Sequence, residues 1–266
     1  MSEAKYGHRH IFYEEKGEGE PIVFIHGVGL DHTMWHGQLD ELAKYYRVIV
    51  YDMIGHGRSE QLPGPYSLSQ FVEQLSILLD YLNIKECHLV GFSMGGMVAQ
   101  SFAIKNKTKL KTLTIMSAVA NRTDEQRSAI LKRVNEVKTN GAASTIEPAI
   151  QRWFNHGFLG ANEEAVNEIR TRLQKNNSAS YLAAYTLFAT ADKELWPQLD
   201  QIDVPTLIVT GEYDVGSTPD MSRQMHEKIK GSELRIVPDM RHMLPMEGAE
   251  IINEMILSFI KKSSSS

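Results

Sequence analysis

The sequence predicts an α/β fold: a mostly parallel sheet with helices on both faces and a helical insertion past its middle. Three observations carry this expectation. Short Val- and Ile-rich runs recur along the chain, each closing on Gly, Asp or Ser, as parallel strands buried on both faces do. Between them stand segments whose apolar residues fall three and four apart, the period of a helix with one face on a core. Strand and helix alternating in this way build a sheet covered on both sides. The alternation stops between about residue 119 and 198, where the pattern is helical throughout.

In chain order, PIVFIHG at 21 to 27 and RVIVYD at 47 to 52 are the first two such strands. Leu68, Phe71, Leu75, Leu78 and Leu82 then mark a helix. Ser67 and Gln70 open it as a capping box, each side chain satisfying a free backbone donor near the other. The strand CHLVGFS at 87 to 93 runs directly into a helix from Met94 to about Ile104, and LKTLTIMS at 110 to 117 follows. In the helical stretch Val166, Ile169 and Leu173 share a face, and YLAAYTLF at 181 to 188 is rich in aromatics. Trp153, Phe154, Tyr181, Tyr185, Phe188 and Trp196 need a surface to pack on, so this stretch reads as a lid over the sheet edge and not as a linker. The strands TLIVTG at 206 to 211 and LRIVPD at 234 to 239 resume the alternation. The expected division is a core made of residues 1–118 and 199–266 with a helical cap at 119–198.

Bulk composition narrows the functional classes. A chain of 266 residues with 42% hydrophobic content can bury one large core. Lys and Arg total 28 against 33 Asp and Glu, a formal charge of -5, and neither sign gathers into blocks. Nucleic acid and acidic membrane surfaces are therefore not expected as partners. Cys87 is the only cysteine, so neither an internal disulfide nor a thiolate metal cluster can form. The N-terminal MSEAKYGHRH lacks the apolar run of a secretory signal, and no run reaches bilayer-spanning length. A cytoplasmic location is expected, and the polar KKSSSS tail is expected to fray.

The chemistry-bearing feature is Gly91-Phe92-Ser93-Met94-Gly95, of the form G-x-S-x-G between a strand and a helix. A serine at so sharp a turn is pushed toward positive φ, and its neighbours two residues away must come too close to carry a β-carbon. This is the geometry of a nucleophile elbow. The following helix points its N-terminus at the hydroxyl, where free N–H groups and partial positive charge favour an anion. The N–H of Met94 is one expected oxyanion donor. The loop His26-Gly27-Val28-Gly29 after the first strand offers the second, through Val28, while His26 reads as a structural hydrogen-bonding residue.

A serine nucleophile needs a base and an orienting acid, which follow it in that fold type in the order acid, then histidine. His226 falls on a helix with its ring toward solvent. His242 lies in the loop after the last strand, at the sheet edge where ligands bind, and Pro245 stiffens that loop. His242 is the expected base. GEYD at 211 to 214 supplies the acid; Asp214, three residues past the strand's glycine, can turn back toward His242, with Glu212 as fallback and Asp239 as a turn residue. Leu30, Phe92, Trp153 and Met243 are the expected pocket walls, although Trp153 is equally readable as cap core. Arg152 is either a surface arginine of a cap helix or a partner for a substrate carboxylate.

With HGVG at 26 to 29, YDMIGHGRS at 51 to 59, GFSMGG at 91 to 96, GEYD at 211 to 214 and RHMLP at 241 to 245, the chain resembles the α/β-hydrolase superfamily from about residue 21 to 262. The resemblance implies an eight-stranded, mostly parallel sheet and a helical cap, and a structural role for Asp52, Gly55, His56, Gly57 and Ser59. Met34, Trp35 and Gln38, with QRWF at 151 to 154, look like 3-oxoadipate enol-lactonases and close carboxylesterases. The chain differs from those lactonases at HGVG, at Asn155 and at Met240-Arg241, so the resemblance carries the reaction class and not the particular lactone. Serine at 93 argues against haloalkane dehalogenases and epoxide hydrolases, which use aspartate there. The expected activity is hydrolysis of a small ester or lactone by Ser93, His242 and Asp214, with no metal or organic cofactor. Carbon–carbon bond hydrolysis, cofactor-free perhydrolysis and a receptor role for the same fold are the alternatives. A homodimer through apolar cap faces is also compatible with the sequence.

Overall fold

The computed structural model describes residues 2–6 and 9–264. Eight strands form one sheet: β1 (Ser2–Tyr6), β2 (Arg9–Lys16), β3 (Pro21–Ile25), β4 (Arg47–Tyr51), β5 (Cys87–Phe92), β6 (Leu110–Met116), β7 (Thr206–Gly211) and β8 (Glu233–Val237). Their order across the sheet is β1-β2-β4-β3-β5-β6-β7-β8. β1 and β2 pair antiparallel, as do β2 and β4; every other pairing is parallel. The sheet is thus the eight-stranded, mostly parallel one expected. β1 and β2 are not among the apolar runs, because an antiparallel pair at the sheet edge tolerates the charged residues of RHIFYEEK; its centre, Ile11, Phe12 and Tyr13, is buried.

The pleat sorts the strand residues between two cores. Val23 and Ile25 of β3 join Ile49, Tyr51 and Leu89 on one face. Ile22 and Phe24 join Val48, Val50, Val90 and Phe92 on the other. Helix α1 (His36–Leu42) closes the second core, whereas α2 (Leu68–Tyr81) and α3 (Met94–Lys105) close the first. At the start of α2, Gln70 accepts the Ser67 backbone N–H at 2.8 Å, one arm of the capping box. Cys87 is buried in β5, and burial pushes its thiol up to about 12.

Between β6 and β7 the chain contains α4 (Asp124–Asn140), α5 (Ile146–Trp153), α6 (His156–Ala161), α7 (Glu163–Gln174), α8 (Ser178–Thr190) and α9 (Asp192–Leu195). After β7 come α10 (Pro219–Lys228), α11 (Leu244–Glu247) and α12 (Ala249–Ser263). The tail departs from the expectation of fraying. Lys261, Lys262 and Ser263 complete α12, where cations suit the negative end of the helix dipole, and Lys262 Nζ reaches Glu233 at 2.6 Å. Ser265 and Ser266 lie outside the described residues. Among the described residues no helix is long and apolar enough to cross a membrane.

Candidate active site

Three crowded glycines build the turn that carries Ser93. A β-carbon on Gly91 would lie 2.3 Å from the carbonyl oxygen of Gly95, and one on Gly95 would lie 2.3 Å from that of Ile25 and 2.4 Å from that of His26. One on Gly96 would meet the Ala118 side chain at 2.7 Å. The first turn of α3 is therefore pressed against both the end of β5 and the loop after β3. Ser93 sits between strand and helix with φ 55° and ψ -116°, a conformation that costs a non-glycine residue about 1–3 kcal/mol and needs the surroundings to hold it. Its N–H donates to the Met116 carbonyl at 2.8 Å, which pins it to β6.

The Ser93 hydroxyl lies 3.1 Å from Nε2 of His242, and Nδ1 of His242 lies 2.7 Å from Oδ2 of Asp214. All three side chains are buried. The other carboxylate oxygen of Asp214 accepts the backbone N–H groups of Gly216 and Ser217, both at 2.9 Å. Both oxygens are thus engaged, and the acid has one orientation. Loop contacts place it there: the Tyr213 N–H donates to the Met240 carbonyl at 2.9 Å, and a β-carbon on Gly211 would strike the carbonyls of Met240 and Arg241. The loops after β7 and β8 consequently run side by side. A hydroxyl, an imidazole and a carboxylate in this order can activate the hydroxyl as a nucleophile.

The loop after β3 abuts the serine from the other side. A β-carbon on Gly27 would lie 3.3 Å from that of Ser93, and Val28 lines the same cavity as Ser93. His26 is fixed in the structure: its Nδ1–H donates to the Gly27 carbonyl at 2.7 Å and its Nε2 accepts the Met53 N–H at 2.9 Å. Burial, reinforced by nearby His56, pushes its pKa down to about 3, so the ring is neutral. Glu212 and His226 are exposed. Glu212 accepts the Asp239 N–H at 3.2 Å, and Asp239 occupies a turn at φ 59°; neither acid reaches His242.

The expected pocket walls divide. Trp153 and Arg152 line a cavity of about 180 Å³ together with Val28, Ser93 and His242. Trp153 lies beside the His242 ring, with centroids 5.9 Å apart. Leu30, Phe92 and Met243 do not line it. They are fully buried in the second core, where Phe92 packs behind His242 at 4.9 Å and against Trp35 at 6.2 Å. Apolar character marks these residues as buried without telling which side of the backbone they take. Met34, Trp35 and Gln38 belong to the same supporting layer, and Gln38 Nε2 donates to the Pro245 carbonyl at 3.0 Å, holding the His242 loop from beneath.

Several cavity residues carry no local sequence signal. Arg122 and Arg133 line it, as do Tyr181 and Tyr185. The tyrosines belong to the aromatic-rich stretch, but Arg133 stands in a charged run and faces inward only because α4 packs on α8. Arg122 is buried and donates to Asp192 at 2.9 Å, and Arg127 reaches the same carboxylate at 2.8 Å. Burial would raise the Asp192 carboxyl, but the hydrogen bond from Arg127 and the charge of Arg122 outweigh it and hold the pKa below the usual carboxylate range.

Asp31, His32 and Asp52 lie close enough to share a metal ion. Their donor atoms are already engaged: Asp52 accepts the backbone N–H of His32 and of Arg58, each at 2.8 Å, and meets His32 Nδ1 at 2.7 Å, while Asp31 pairs with Arg172 at 2.9 Å. Ser59 donates to the Asp52 carbonyl at 2.6 Å. The loop at 52–59 is thus internally bonded, in keeping with a structural part.

Known proteins share this architecture along almost the whole chain. The (E)-2-((N-methylformamido)methylene)succinate hydrolase of Acinetobacter baylyi is 30% identical over 253 residues, 95% of either chain. The 3-oxoadipate enol-lactonase 1 of the same organism is 30% identical over 241 residues, 90% of this chain and 88% of the relative. The crystal structure of the enol-lactonase from Burkholderia xenovorans LB400 superposes with a TM-score of 0.91 at 25% identity, covering 98% of this chain and 100% of that one. The enol-lactonase likeness legible in the sequence thus extends to the three-dimensional structure. The model of the alpha/beta hydrolase fold family matches residues 20–249, and the chain is accordingly a hydrolase that belongs to that family.

Proposed function

We propose that the protein hydrolyses small carboxylic esters or lactones through an acyl-enzyme on Ser93. The observation that carries this reading is the unbroken hydrogen-bond chain from Asp214 through His242 to the Ser93 hydroxyl, opening into a small cavity. His242 Nε2 takes the hydroxyl proton as Ser93 Oγ adds to the carbonyl carbon, while Asp214 holds Nδ1–H and stabilises the imidazolium. The oxyanion is received by the N–H groups of Val28 and Met94. In support, α3 directs its N-terminus at this point and Gly95 lets its first turn touch the loop after β3. Losing one such donor typically costs a factor of about 100–1,000 in kcat.

The carbon–oxygen bond then breaks and His242 returns the proton to the leaving alkoxide, which stays attached to the acyl chain when the substrate is a lactone. Water, deprotonated by His242, adds to the acyl-enzyme and frees the acid. In this reading the helices between β6 and β7 cap the cavity and limit access of water. The enol-lactonase names among the relatives agree with the lactone branch of the proposal.

Stopped-flow hydrolysis of short p-nitrophenyl esters and of five- and six-membered lactones by the wild type and by Ser93→Ala tests the proposal. The expected result is a burst of p-nitrophenol followed by turnover, both absent in the variant. Equal activity of the two proteins would place the chemistry elsewhere. A wild type inert toward esters and lactones but active on a carbon–carbon bond would reassign the reaction on the same residues.

A further inference from the structure

We infer that Asn176, held in place by Arg172, is a positioning residue for the oxyanion hole: from the cap side it fixes the turn whose Val28 N–H receives the oxyanion. This rests on the hydrolase reading above and adds two residues to its machinery. Residues Gly27 to Leu30 form a tight turn, closed by the Leu30 N–H donating to the Gly27 carbonyl at 3.2 Å. Gly29 takes the third position at φ 77°, the conformation a type II turn needs there. The Gly27 carbonyl also accepts Nδ1–H of His26 at 2.7 Å. That carbonyl and the Val28 N–H belong to one trans peptide and point opposite ways. Whatever holds the carbonyl therefore aims the N–H.

The far side of the turn is held from the cap. Asn176, in the link between α7 and α8, donates from Nδ2 to the Gly29 carbonyl at 2.8 Å and to the Leu173 carbonyl at 3.2 Å. Its other end is set by Arg172, whose Nη2 donates to Asn176 Oδ1 at 2.6 Å. An acceptor pair on one side and a donor on the other leave the amide a single orientation. The same guanidinium pairs through Nε with Asp31 at 2.9 Å, just past the turn, where Asp31 also accepts the Thr33 N–H at 3.1 Å. Packing is as close as the bonding. A β-carbon on Gly29 would lie 2.8 Å from Cε2 of Tyr181 and 3.0 Å from Cδ2 of Leu173.

These contacts fall on the residue next to the oxyanion donor, which gives them a consequence for rate. A donor stabilises the transition state only if it is already aimed when charge develops, and a misplacement of about 1 Å can cost about 100-fold. With glycine on either side of Val28, the backbone of the turn bends easily, so its aim depends on outside anchors. His26 is the anchor within the core and Asn176 the anchor in the cap. Val28 and Tyr181 line the cavity beside Ser93, but Asn176 and Arg172 do not. Asn176 therefore acts through the turn, and its loss bears on the transition state more than on substrate binding.

The experiment compares Asn176→Ala and Asn176→Asp with Val166→Ala, which thins the buried face of α7 in the turns before Arg172. Asn176→Asp keeps the side-chain size and an acceptor for Arg172 but no longer donates to Gly29. Each protein is assayed for p-nitrophenyl acetate hydrolysis, for inhibition by phenylboronic acid and for Tm. The boron accepts an electron pair from Ser93 Oγ as the hydroxyl proton passes to His242, giving a tetrahedral anion with one oxygen in the hole. In both Asn176 variants kcat/KM should fall about 10- to 100-fold through kcat, and the boronate Ki should rise by the same factor. Val166→Ala should lower Tm more than Asn176→Asp does and leave kcat and Ki unchanged. Asn176 variants with wild-type kcat and Ki, or equal losses in Val166→Ala, overturn the inference and leave the hydrolase reading intact. Hydrogen exchange over residues 27–31 reads the turn without turnover. It should quicken in Asn176→Ala and not in Val166→Ala; wild-type protection in Asn176→Ala overturns the inference even when no ester is hydrolysed. A wild type that neither cleaves esters nor binds the boronic acid removes the hydrolase reading, and this inference with it.

Discussion

The backbone N–H of Met243 donates to the carbonyl of Trp153 across 2.9 Å, so the residue after His242 is tied to the last residue of α5. Further bonds make the same connection. Glu247 accepts the N–H of Asn155 with one oxygen and, at 2.8 Å, that of Arg241 with the other. The Arg241 guanidinium donates to the Gln151 carbonyl at 3.0 Å. The loop that aims His242 and the helix that bears Arg152 therefore move as one piece.

Replacing Glu247 by Ala should loosen this piece. Hydrogen bonds to a charged group are worth about 1.5–3 kcal/mol each, so Tm should fall and kcat on an ester substrate should drop by about tenfold or more. Parallel thermal melts and steady-state kinetics check this. A lower Tm with unchanged kcat would mean that the His242 ring is positioned by Gln38 and Phe92 alone.

Asp214→Asn keeps the size of the side chain but removes the charge that fixes the His242 tautomer. The amide also turns an N–H donor either toward His242 or toward the N–H groups of Gly216 and Ser217. kcat should fall by up to about 10⁴-fold with little change in KM. A loss below tenfold would show that another group orients His242.

Gly95→Ala tests the packing that sets the serine turn. Its β-carbon would fall 2.3 Å from the Ile25 carbonyl oxygen, well inside contact distance. Forcing a methyl into such a core costs about 1–3 kcal/mol, and the movement separates α3 from the loop bearing Val28. Chemical denaturation should register the stability loss and kcat should fall with it. Gly160→Ala, where nothing lies within 4 Å, serves as the control and should not destabilise the fold.

The charge cluster at Asp192 predicts an acid sensitivity. Its folded pKa is lowered below the unfolded value of about 3.9. The stabilisation is therefore fully present above that unfolded value and is lost as pH falls through the folded pKa. Wild-type Tm should decline steeply below about pH 4, whereas Asp192→Asn should be less stable at neutral pH, by about 3–5 kcal/mol for a broken buried pair, and flatter across the acid window. Tm measured from pH 7 down to 3 distinguishes the two profiles. Parallel curves would remove Asp192 from the acid response.

The legible parts of this protein are those whose cause is local. Ser93 is readable because its turn demands glycines at fixed offsets, and His242 and Asp214 because each directly follows a strand at the same sheet edge. Leu30, Phe92 and Met243 are readable as buried but not as facing the core instead of the cavity, since that depends on which neighbour fills the space. Arg133 is not readable at all. It looks like any charged residue of an exposed helix until α8 packs on α4 and turns it inward. β1 and β2 are hidden for the opposite reason, as an antiparallel pair at the margin of the sheet needs little apolar sequence.

The ion pair between Arg122 and Asp192 joins positions 70 residues apart, near the start and the end of the helical stretch between β6 and β7. The chain thus leaves the sheet and comes back at one point. Because the ends already meet, the length between them is loosely constrained: doubling a flexible excursion costs only about 0.6 kcal/mol in closure entropy. Helices that touch neither the His242 loop nor the turn at Gly29 can be lengthened or exchanged there while β6 and β7 keep their registry, whereas α5, bonded to the His242 loop through Trp153 and Asn155, cannot be lost without loosening it.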